Sequence, residues 1–296
     1  VLIKILEVKM IPKRLIYSSI VTILISFSIF IRKIALIKGV TPITLLIQFV
    51  LIASIILNIN LIIFHRGHIK KIRNIQYKEW KNTFFAGSFL FFAYFISNYS
   101  LRFTTSINYS FLNKSNLIFI PLLAFFFLHE KLTKEKIFLA FAFFIGIYLV
   151  TTSGQFIIPH FGDLLVIVAT FFFSSFSIVN KKLIKILEPE IVSWGILSCA
   201  AILALIFSFI FKINIFSSKG ILLVFLSGIA EGFVILFINK TIRITNMTYY
   251  VMMIMFTPLI NLILGVLFLN EMINFIQLIG GSILIISGIM VQRLRD

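Results

Sequence analysis

Apolar residues fill this chain in long runs, broken at short intervals by small clusters of Gly, Pro, Asn and Lys. The runs are about 17–23 residues long, the length an α-helix needs to cross ~30 Å of hydrocarbon. Reading them in order predicts ten spanning helices, at 15–37, 43–64, 82–101, 106–128, 134–152, 162–182, 190–211, 220–239, 248–269 and 273–292. The connections are short, punctuated by Gly39, Thr41-Pro42, Gly154 with Pro159 and Gly162, Pro189, and Gly220. Such connections make successive spans antiparallel neighbours. No alternation with a period of two residues marks a strand, and a backbone in lipid must bond to itself. The expected fold is therefore an all-α integral membrane bundle.

Composition narrows the function. Of 296 residues 60% are hydrophobic and 12% charged, against ~25% charged in soluble domains, which excludes an ordinary soluble enzyme. The net charge of +17 matters through its placement. With the first residue cytoplasmic, 20 Lys and Arg fall on that side and 6 on the other, Arg32, Lys33 and Lys38 among the outer ones, while Lys114 is left inside a span. The positive-inside rule then sets both termini in the cytoplasm and the chain in the cell membrane. The basic stretch 65–81, His65 through Lys81, carries Tyr77 and Trp80 and suits anionic lipid headgroups, so nucleic acid is not needed as a partner. A lone cysteine, Cys199, excludes an intrachain disulfide and a CxxC motif. Of the histidines His65, His68, His129 and His160 only the first two are close in sequence, and no carboxylate or cysteine completes a metal motif, so neither a metal nor a cofactor is expected. The first span lacks a cleavage site and is followed by Arg32-Lys33, so no signal peptide is expected; Val1 reads as an alternative start, with Met10 another.

The chain also repeats itself. Ser26-Phe27-Ser28-Ile29 recurs as Ser175-Phe176-Ser177-Ile178, 149 residues on. After the second connection the offset becomes 141 and holds without a gap, matching Gly87 with Gly228, Asn98 with Asn239, Tyr109 with Tyr250 and Glu130 with Glu271. The longer 65–81 connection absorbs the difference. Two copies of five spans follow, 1–152 and 153–296, and an odd number of spans per copy turns the second upside down relative to the first. Such inverted repeats are an architecture of secondary transporters, in which the copies exchange conformations around a midplane site.

Thr257-Pro258 through Leu269-Asn270-Glu271 to Gly280-Gly281 and Gly288, echoed by Leu128-His129-Glu130-Lys131-Leu132-Thr133 and Gly146, resembles the drug/metabolite transporter superfamily and its EamA-type members in particular. The sequence departs from that pattern where Leu117 matches Pro258 and a proline follows only at Pro121. The resemblance implies ten helices, cytoplasmic termini, a central cavity between the copies, and export or exchange of amino acids or other small metabolites, by a monomer or homodimer.

Lys114, within Asn113-Lys114-Ser115-Asn116, lies ~12 Å into the fourth span, and Glu231 lies ~17 Å into the eighth, at ~1.5 Å per residue. A midplane ammonium facing lipid costs ~2.5–3.5 kcal/mol or more, so Lys114 is expected to have a partner, and Glu231 reaches a similar depth. This pair is expected to line the cavity and hold the ends of a zwitterionic solute, or to neutralise itself; the plain alternative is an ion pair pinning two helices. Asn113, Asn116, Tyr94, Tyr250, Ser26 and Ser175 are the other candidate cavity groups. Glu130 and Glu271 are expected to complement the following helix's N-terminus, through Thr133 or Asn274, and Arg102 and Arg243 to snorkel. Asn98 and Asn239 are expected to satisfy neighbours, and the glycines to permit close helix contact. Two other classes compete. A membrane-embedded enzyme acting on lipid has poor support, since Asp occurs only at Asp163 and Asp296 and no GxSxG or HExxH is present. A non-transporting scaffold predicts dispensable midplane polar residues.

Overall fold

The computed structural model describes residues 13–128, 134–154, 160–213, 215, 220–245, 250 and 253–293. All its regular elements are helical. They are α1 (Lys13–Ile37), α2 (Pro42–Phe64), α3 (Arg66–Ile72), α4 (Tyr77–Phe103), α5 (Ser106–Leu112), a 3-10 turn (Asn113–Ser115), α6 (Asn116–Leu128), α7 (Lys134–Thr152), α8 (Phe161–Ile186), α9 (Pro189–Ile210), α10 (Ile221–Ile244), α11 (Thr257–Leu269) and α12 (Phe275–Arg293). Among the described residues, α1, α2, α4, α8, α9 and α10 are long and apolar enough to cross a membrane, and shorter apolar stretches lie at Phe141–Thr152, Thr257–Leu269 and Phe275–Ser287. Local chemistry sets the starts. Thr41 caps α2 by accepting from the Thr44 N–H at 3.2 Å, and Pro42 and Pro189 stand in the first turns of α2 and α9, where a missing N–H does no harm.

Burial is inverted relative to a water-soluble protein. Phe138, Phe209, Leu222 and Leu267 face outward, whereas Arg32, Lys114, Asp163 and Glu231 are buried. Lipid is the medium that permits the first group, and protein or enclosed water must surround the second.

Partners are exchanged between the first half of the chain and the second. α4 packs most extensively along α8 and α1 along α10, while α2 meets α10 and α4 meets α9. The matched glycines sit in these crossings. A Cβ on Gly87 would lie 2.6 Å from the Cys199 Cβ and 2.9 Å from the Ile196 carbonyl oxygen of α9; one on Gly228 would lie 2.7 Å from the Ile52 Cβ and 3.0 Å from the Phe49 carbonyl oxygen of α2. Both positions need hydrogen for the backbones to approach.

Two expected spans are interrupted. The stretch 106–128 is α5, a 3-10 turn and α6 in succession. Asn113, Ser115 and Asn116 are short polar residues that compete with the helix for backbone groups, and the Ser115 hydroxyl donates to the Leu112 carbonyl at 2.7 Å. The stretch 248–269 is interrupted at Met255 and Phe256, turn residues just before α11, with Pro258 in that helix's first turn. The two interruptions stand 141 residues apart, Lys114 matching Met255.

Polar contacts gather the connections into two groups. In one, Lys71 of α3 bonds Glu188 at 3.2 Å, and the Glu190 carboxylate meets Lys240 at 3.1 Å, His65 at 3.5 Å and His68 at 3.9 Å. His65 and His68 thus meet a carboxylate that comes from α9. The basic 65–81 connection is itself partly helical. In the other group, Lys33 donates to the carbonyls of Leu101 at 2.8 Å and Thr104 at 2.6 Å, and Thr104 donates to the buried Asp163.

Glu271 also belongs to this second group, and the structure corrects its expected target. Its carboxylate accepts from the Ser106 N–H at 2.7 Å, the Ser106 hydroxyl at 2.8 Å and the Ile107 N–H at 3.1 Å. It therefore caps α5, some 165 residues away, and not the helix that follows it. Its counterpart Glu130, with His129 and Thr133, lies outside the described residues.

Candidate functional site

A cavity of about 90 Å³ lies where α1, α4, α8 and α10 meet the 3-10 turn and Tyr250. Both halves of the chain wall it, and the walls match in pairs 141 residues apart: Leu90 with Glu231, Tyr94 with Ile235, Tyr109 with Tyr250, and Asn113 with Ile254. Polar chemistry sits on one member of most pairs. The repeat supplies the frame of the cavity, and its departures from symmetry supply the charge.

Glu231 is 5% exposed, and each of its oxygens has a protein donor. Tyr94 donates its hydroxyl to one, and the Ser28 hydroxyl donates to the other at 2.8 Å. Tyr94 is held for this by edge-on contact with Phe49, ring centroids 5.0 Å apart, and with Phe173 at 5.4 Å. The expected direct pair with Lys114 does not form: both residues line the cavity, but no ion pair joins them. The carboxylate is bonded instead by two neutral hydroxyls, from α1 and α4.

Lys114 is 2% exposed and makes no hydrogen bond or ion pair among the described residues. It occupies the centre of the 3-10 turn, where the chain between α5 and α6 bends into the cavity wall. Beside it Asn113 accepts from Thr170 of α8 at 3.1 Å, and the Asn116 side-chain carbonyl oxygen is buried without a donor among the described residues. A helix interrupted beside a site, with its polar groups turned to a cavity, is how irregular backbone is tolerated at membrane depth.

Arg32 is the residue that sequence reasoning misplaced. Expected as a charge on an outer connection, it lies inside α1, is 3% exposed and lines the cavity. Its guanidinium donates to Asn98 at 3.0 Å and Ser97 at 3.3 Å and lies 5.5 Å from the Phe49 ring centroid. Ser97 is in turn bonded to the Tyr109 hydroxyl at 2.6 Å. The signal available beforehand was that the run from Leu15 onward stays apolar past position 32 up to Ile37, so the span does not end at the arginine. Lys33, one residue on, reaches the C-terminal carbonyls of α4 instead.

Of the eight candidate residues, Lys114, Glu231, Asn113, Asn116, Tyr94 and Tyr250 line this cavity, and Ser26 and Ser175 do not. Ser26 bonds the Thr22 carbonyl at 2.9 Å within its own helix, and Ser175 faces outward. The matching pair two residues further on, Ser28 and Ser177, is the one that reaches the site. On a helix a shift of two residues turns a side chain by about 200°, and the apolar run offered nothing to fix that phase.

Comparisons with known proteins agree with the architecture. The model of the EamA-like transporter family matches residues 13–152 and matches again at residues 160–293. A crystal structure described simply as that of a protein is similar at TM-score 0.63 and 16% identity, covering 94% of this chain and 96% of that one, which shows a shared fold. No curated protein matches the sequence.

Proposed function

Because the chain belongs to the EamA-like transporter family and is a multi-pass membrane protein, we propose that it is a secondary transporter. It moves small metabolites, by export or exchange, through alternating access around the cavity described above. One observation carries the reading: residues at matched positions of the two halves wall the same cavity. Two copies of five spans in opposite orientation would present that cavity first to one side and then to the other as they exchange conformations. The two groups of connections fit ten spans threaded alternately. One holds 65–81, the α8–α9 connection and the end of α10; the other holds the corner at 101–106 and Glu271. Since the first group carries most of the basic residues, it and both termini face the cytoplasm of the cell membrane. There the exposed cations of α3 meet anionic headgroups.

Purified protein in liposomes loaded with mixed metabolites tests this. Selective efflux or exchange, reduced at least tenfold in Glu231→Gln, is the expected result. No flux of any solute from inserted, folded protein would favour the scaffold reading.

A further inference from the structure

Among the described residues three charged side chains line the cavity, two cationic and one anionic, and they are not equivalent. Arg32 is engaged by Asn98, Ser97 and the Phe49 ring. Glu231 has a donor on each oxygen. Lys114 alone faces the space with no partner among the described residues. Around them the walls are apolar, with Ile29, Leu90, Val234 and Ile238 among them.

We propose that this cavity selects a small monoanion with an apolar body, its carboxylate received by the Lys114 ammonium. The lining carries one net positive charge, and in a low-dielectric space charge balance outweighs most other terms. A monoanion brings the site to neutrality. A cation faces two cations, with Glu231 already satisfied by hydroxyls, and a zwitterion leaves the imbalance as it was. Asn113 and Asn116 flank the lysine and place amide groups at the same rim. Size limits the body: a ~150 Å³ cavity takes benzene, so about 90 Å³ suits a solute smaller than benzene. The proposal rests on the reading of this cavity as the solute site of a carrier.

Binding is read by thermal stabilisation of the intact protein in detergent, with four probes alike in size: propionate, propionamide, propylamine and alanine. Propionate is expected to stabilise the protein at a concentration at least tenfold lower than the other three. Lys114→Met is expected to abolish that preference, and Lys114→Arg, which retains the charge, to keep it. Equal stabilisation by propionate and propionamide, stronger stabilisation by alanine or propylamine, no stabilisation by any probe, or a propionate effect unchanged in Lys114→Met would each overturn the proposal. Because binding is read in detergent and flux in liposomes, the two readings fail separately. Anion binding without flux would remove the carrier function and leave the site, whereas flux of other solutes without anion binding would do the reverse.

Discussion

Lys114 and Met255 occupy matched positions, each at an interruption between two helical segments and each almost wholly buried, at 2% and 4% exposure. The backbone does nearly the same thing twice, while the chemistry is placed once. The same holds one helix away. Asn98 and Asn239 match and are both fully buried, yet Asn98 accepts from the Arg32 guanidinium, whereas Asn239 accepts from the Asn180 amide at 2.8 Å and donates to Ser193 at 2.8 Å. In both halves an asparagine on one helix receives a donor from the half's first helix, α1 or α8. Only in the first half is that donor charged. A duplicated frame thus carries an unduplicated site: at the matched positions Lys114 stands against Met255 and Glu231 against Leu90.

Exchanging the residues at the two interruptions probes this contrast most strongly. Met255→Lys adds a second enclosed ammonium and is expected to destabilise the protein by about 3 kcal/mol. Lys114→Met makes the interruptions alike and is expected to leave stability unchanged or raised, because an apolar side chain replaces a buried charge that has no partner among the described residues. Unfolding by SDS in mixed micelles measures both, and equal losses in the two variants would contradict the asymmetry.

The asparagines come next. Asn98→Leu strips a guanidinium of its best acceptor and is expected to lose about 2 kcal/mol, while Asn239→Leu breaks neutral bonds worth about 1 kcal/mol. A larger loss at Asn239 in the same titration would reverse the assignment.

The matched glycines sharpen the comparison from the other side, since there the halves do the same work. Gly87→Ala and Gly228→Ala each force a methyl group against backbone and are expected to cost about 1.5 kcal/mol apiece. Losses differing by more than about 1 kcal/mol would mean that the two crossings are not equivalent.

The smallest effect is expected at the exposed contact of α3. The Lys71 hydrogen bond holds the Glu188 carboxyl below the usual carboxylate range. A lowered acid stabilises the fold above its unfolded pKa of ~4.3, and the contribution fades as pH falls through the lowered value. The pair is open to solvent, so Lys71→Ala is expected to change stability by less than about 0.5 kcal/mol. That small difference should vanish in acid; one that grows on acidification would have the wrong sign.

The sequence by itself determined the helical class, the membrane as solvent, the self-similarity at an offset of 141 and the place of Lys114 and Glu231 within apolar runs. All of these depend on periodicity and on the expense of charge in hydrocarbon, which are local properties of the chain. What only the tertiary structure decided was which donor reaches which acceptor. In the sequence Arg32 falls with Lys33 and Lys38 on an outer connection, although its span runs on to Ile37; its partners became visible only with Asn98 and Ser97 of α4 around it. The phase of α1 chose Ser28 over Ser26, and Glu231 is bonded by Tyr94 and Ser28 and not by Lys114. Glu271 found α5 of the other half because helix packing brings that N-terminus to it, and no sequence spacing records a contact across 165 residues. An apolar membrane helix gives little amphipathic signal to fix its rotation. The side chains that line the cavity are therefore set by packing between the halves and not by the order of residues within either.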